Sequence, residues 1–87
     1  MKLKDGFLLR EVAGQYVALP SGDELNLNMM ITLNDTGAFI WNQLQNDTDE
    51  PAIVKAVLAE YDVNEARAAQ AVADFVQKLR ANGFLAE

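Results

Sequence analysis

The sequence predicts an α+β fold: a three-stranded antiparallel sheet followed by a three-helix bundle, ordered β-β-β-α-α-α and winged-helix-like in build. Three observations predict it. A run that mixes apolar and charged residues, "FLLREVA" at 7–13, and a short β-prone run, "QYVALP" at 15–20, flank Gly14. Leu25, Leu27, Met29, Ile31 and Leu33 then alternate with Asn26, Asn28, Met30, Thr32 and Asn34, the period of a half-buried strand. After Asn34 the apolar spacing becomes helical and stays so through three segments.

The first two strands should form a hairpin. The "AGQ" between them suits a tight turn, because glycine tolerates positive φ. "PSGDE" at 20–24 reads as a loop. Leu25 to Leu33 is the third strand, long enough that a bulge or a late start is expected. Met30 is the one apolar residue on its polar face.

Asn34 or Asp35 can cap the first helix by accepting from its unpaired N–H groups. Ala38, Ile40, Trp41 and Leu44 give it an apolar face. Gly37, a poor helix former in the first turn, points to close packing. Trp41 reads as a buried anchor rather than a ligand contact. Thr48 or Asp49 can cap the second helix, where Pro51 is tolerated in the first turn. Its broad apolar face is Ile53, Val54, Val57, Leu58 and Tyr61. The third helix, near 65–82, is capped by Asn64 and buries Ala68, Val72, Phe75 and Leu79. Glu65 early and Lys78 and Arg80 late complement its dipole. Gly83 is a helix stop, after which Phe84 and Leu85 can fold back on the last turn.

Composition narrows the function. The 87 residues suffice for one domain, 1–87, and 51 % apolar content suits a globular chain. Cys and His are both absent, which removes thiolate metal sites, disulfides and the usual neutral-pH acid–base residue. Asp47, Asp49 and Glu50 lie at a helix start, and Glu60 and Asp62 at a helix end, so no catalytic constellation assembles. "NDTDE" lacks the spacing of a calcium loop. No metal or cofactor is expected. Seven basic against thirteen acidic residues, net −6, argue against nucleic acid. A DNA-binding winged helix remains the alternative, with the third helix as reader. Its first turns, "EARAAQAVAD", carry one Arg against two acids, and only four residues follow Gly83, where a wing would lie. No run approaches a membrane span, and "MKLKDGFLLREV" lacks a signal-peptide core, so a cytoplasmic location is expected.

Two surfaces suggest binding. In a meander, the third strand has a free edge without the charge or proline that usually blunts one. A peptide can add there as a further strand. Equally, the third helix, the N-terminal residues or a homodimer partner can cover that edge. On the third helix, Ala66, Ala69, Ala73, Val76 and Arg80 lie beside the core stripe. They read either as exposed helix formers or as a shallow floor for another chain.

"ITLNDTGAFIWNQL", "IVKAVLAEYDVN" and "VADFVQKLRANGFL" together resemble the PqqD-like family of precursor recognition elements. The resemblance runs from "LLREVAGQYVALP" to "NGFL", and Leu33-Asn34, Gly37, Ile40-Trp41 and Leu44 are its most specific part. It implies a non-catalytic carrier that binds the leader of a ribosomally made precursor peptide. The leader would add along the third strand, pack against the third helix, and be presented to a modifying enzyme, often of the radical SAM type. Any iron–sulfur cluster would belong to that enzyme. Carried over, the site is the edge Leu27, Asn28, Met29, Met30, Ile31 and Thr32, with Ala66, Ala69, Ala73, Val76 and Arg80 opposite. The carrier would be a monomer or weak homodimer, without nucleic-acid or membrane partners. The long approach "SGDELNLNMM" departs from the quinone-pathway type and suggests the wider group of peptide-modification clusters.

Overall fold

A computed structural model describes residues 1–20 and 31–86. Its elements are β1 (Lys2–Leu3), β2 (Phe7–Val12), β3 (Gln15–Pro20), β4 (Ile31–Leu33), α1 (Asp35–Gln43), α2 (Glu50–Glu60), α3 (Glu65–Ala81) and β5 (Leu85–Ala86). The three-stranded antiparallel sheet and the three helices follow the expected order. Of the predicted third strand, the last three residues form β4; Leu25 to Met30 lie outside the described residues.

The β2–β3 hairpin closes through a two-residue loop between Val12 and Gln15, which are cross-strand partners. Both loop residues have positive φ, 53° at Ala13 and 80° at Gly14. That is the backbone of a type I′ turn, whose twist matches the strands it joins. β3 then pairs β4 with Val17 opposite Thr32, so the sheet order is β2-β3-β4 and β4 is an edge. Within β4 the alternation holds: Ile31 half-buried, Thr32 exposed, Leu33 buried.

Each helix is capped where the side chains allow. Asn34 accepts from the Gly37 N–H at 2.7 Å, Asp49 from Ala52 at 2.9 Å and Asn64 from Arg67 at 2.8 Å. α3 ends in a double closure around Gly83 (φ 78°). The Gly83 N–H donates to the Arg80 carbonyl, and Phe84 donates to that of Leu79. This Schellman arrangement satisfies carbonyls that the helix leaves open.

The core joins all three helices to the sheet through Leu33, Ile40, Trp41, Leu44, Ile53, Val57, Ala68, Val72, Val76, Leu79 and Phe84. Trp41 is wholly buried, as its spacing implied, and meets Phe84 edge-on at 5.6 Å. No partner for its indole N–H occurs among the described residues.

A small second sheet adds to the expected plan. β1 pairs β5, with Leu3 opposite Leu85. Leu3 also donates to the Leu44 carbonyl, Lys4 to that of Phe84, and Thr48 to that of Met1. Two-residue strands carry no readable period, so this sheet left no trace in the sequence pattern.

Candidate functional site

Gly37 opens the site. It is buried in the first turn of α1, and a Cβ there would stand 3.0 Å from Phe75 Cε2 and 3.2 Å from Asn34 Oδ1. The bare backbone thus lets the Phe75 ring of α3 lie against the start of α1, as the close-packing reading expected. Between the two helices runs a cleft of about 510 Å³. Asn34, Thr36, Gly37 and Ile40 line one wall, and Arg67, Ala71, Asp74, Phe75 and Lys78 line the other. On α3 those five residues recur at helical spacing and form a single flank. Asn34 directly follows β4, so the cleft begins where the edge strand ends.

A smaller recess of about 160 Å³ continues from it, lined by Val57, Tyr61, Val63 and Ala68. Thr36, Arg67 and Ala71 border both. Val63 is an exposed large apolar residue, and Tyr61 is held edge-to-face against Phe39 at 5.5 Å.

The cleft's chemistry is an apolar floor with charged margins. The Asp74 carboxylate accepts from the Gln70 amide at 2.8 Å. Arg67 and Lys78 make no side-chain ion pair among the described residues. No group of three or more His, Cys, Asp or Glu able to hold a metal ion occurs among the described residues. No described helix is long and apolar enough to cross a membrane.

The residues expected from the sequence fall in three places. Ile31 and Thr32 lie on the edge strand β4. Leu27, Asn28, Met29 and Met30 lie outside the described residues. On α3 the expected stripe needs correction. Val76 is 1 % exposed and belongs to the core, while Phe75, expected in the core, is only half-buried and lines the cleft. Ala69 and Ala73 are exposed, but they border a groove with Glu50, Pro51 and Val54 of α2 and not the cleft against α1. Ala66 and Arg80 are exposed on that same flank of the helix. The opposite flank carries Arg67, Ala71, Phe75 and Lys78, which line the cleft with Asn34 and Gly37 and which the sequence reading did not single out. Their i, i+4, i+8, i+11 spacing was legible; which side of the core stripe meets the start of α1 was not.

Two solved structures share this fold across the chain. One, TbiB1 in complex with the TbiA(beta) leader peptide, aligns with a TM-score of 0.74 at 23% identity, covering 100% of both chains. The other, lasso peptide synthetase B1 complexed with the leader peptide, aligns at 0.73 and 22% identity, covering 99% of this chain and 96% of that one. No curated protein matches the sequence. The family profile described as coenzyme PQQ synthesis protein D (PqqD) matches residues 7–85, from the first residue of β2 into β5. With nearly the whole chain accounted for, it belongs to the PqqD family.

Proposed function

We propose that this chain is a non-catalytic peptide carrier: a single recognition domain, residues 1–87, that binds the leader of a ribosomally made precursor and presents it to a modifying enzyme. The observation that carries this reading is the edge strand β4 leading directly into a cleft lined by Gly37, Ala71 and Phe75. An added strand gains main-chain hydrogen bonds from the edge, and its side chains gain specificity from the cleft. Two further facts support it: the family of the chain, and the leader peptides bound to both similar structures. The enzyme is of the radical SAM type in this reading, and any cluster resides there.

The test is titration of the ¹⁵N-labelled protein with the leader of a short precursor encoded beside its gene. Amide shifts are expected at Ile31–Leu33, Gly37, Ala71 and Phe75. Shifts confined to α2, or none at saturating peptide, would refute the reading.

A further inference from the structure

We propose that Arg67 and Lys78 make the cleft selective for a peptide segment that carries an acidic side chain beside its apolar anchors; the inference rests on the strand-addition reading above. Basic residues are scarce in this chain, seven against thirteen acidic. Two of the seven nonetheless border one cleft. They stand eleven residues apart on α3, about 16 Å at 1.5 Å per residue, and on the same flank. Between them lies the apolar floor of Ala71 and Phe75.

Their charge is available. Neither side chain is ion-paired among the described residues, and the one carboxylate on that wall, Asp74, already accepts from Gln70. The cleft side chains therefore sum to one net positive charge, on a molecule of net −6. An acidic peptide would be repelled by the protein as a whole and attracted at this cleft, so the pair fixes register as well as sign. Arg67 holds the more telling place, because it borders both the cleft and the recess beside Tyr61 and Val63. A peptide strand with one apolar side chain over Phe75 and another in the recess would bring an intervening carboxylate to the guanidinium. Arginine can grip that carboxylate with two parallel N–H donors, which a lysine cannot do.

The experiment is selection from a random dodecapeptide display library on the immobilised full chain, followed by anisotropy of labelled selected peptides. Sequences pairing Leu, Ile or Phe with a nearby Glu or Asp are expected to be enriched. Replacing that Glu by Gln should weaken binding of the labelled peptide about three- to ten-fold, the range of a partly desolvated charge pair. Arg67→Gln should cost the Glu peptide a similar factor and the Gln peptide little. Lys78→Gln should act the same way more weakly, and Lys55→Gln, which removes an exposed cation outside the cleft, should change neither. Both cleft variants alter exposed side chains, and unchanged melting temperatures would establish that they fold. Enriched peptides without acidic residues, or equal losses for the Glu and Gln peptides, would overturn this inference and leave strand addition standing. Failure to enrich any peptide over a bare support would overturn both.

Discussion

At the scale of single residues, Gly37 decides whether the cleft exists. Any side chain there meets Phe75 at 3.0 Å and the capping oxygen of Asn34 at 3.2 Å. Alanine is the better helix former, but it forces the ring or the cap to move. Gly37→Ala is expected to lower stability by about 1 kcal/mol, the low end for overpacking. It should also weaken peptide binding by moving Phe75, and thermal melts with anisotropy would measure the two effects. The sequence made this glycine conspicuous as a poor helix residue and allowed close packing as its reason. It gave no sign that the partner was Phe75, because contact across 38 positions is set by how two helices dock.

At the scale of elements, the β2–β3 hairpin and α3 carry separate predictions. Ala13 takes φ 53° in a turn that favours asparagine at that place. A left-handed alanine costs on the order of 1 kcal/mol, so Ala13→Asn should raise stability by roughly that amount. Denaturant unfolding would show a higher midpoint with an unchanged slope. α3 presents a flank on either side of its core stripe, one with Ala71 and Phe75 in the cleft against α1 and one with Ala69 and Ala73 against α2. Ala71→Gln should weaken leader binding about ten-fold, or ~1.4 kcal/mol. Ala73→Gln should leave it within about two-fold. Equal losses would mean that both flanks contact the peptide. Helix periodicity marks the core stripe, yet Phe75 and Val76 exchange the roles expected of them. Neighbouring positions at a stripe's margin differ by one step around the helix, and the docking of α1 decides which one turns inward.

At the scale of the whole molecule, Met1 is tied to the loop before α2. The N-terminal ammonium donates to Asp47 at 2.8 Å and to the Thr48 carbonyl at 2.7 Å. That ammonium, by hydrogen bond and charge, holds the Asp47 carboxyl below its ordinary range. A carboxyl with a lowered folded pKa stabilises the fold at pH above its unfolded value, and that stability is lost as pH falls through the folded one. Asp47→Asn should therefore melt slightly lower than the parent near neutral pH, and the gap should close under acid. The effect is small because Asp47 is solvent-exposed. Melts at a series of pH values would check it, and a gap that widens under acid would contradict the assignment.

The sequence by itself determined the order of the three-stranded sheet and the three helices, the Asn64 cap, the glycine stop after α3 and the burial of Trp41, and it narrowed the other two caps to neighbouring pairs. Each of these follows from period or from chemistry within a few residues. Only the tertiary structure decided that β1 and β5 pair, that Val76 rather than Phe75 completes the core, and that Arg67, Ala71, Phe75 and Lys78 line one cleft with Asn34 and Gly37. The physical reason is the same for all three. Local pattern says which face of an element is apolar, whereas the neighbour that each margin meets depends on packing between segments far apart in the chain.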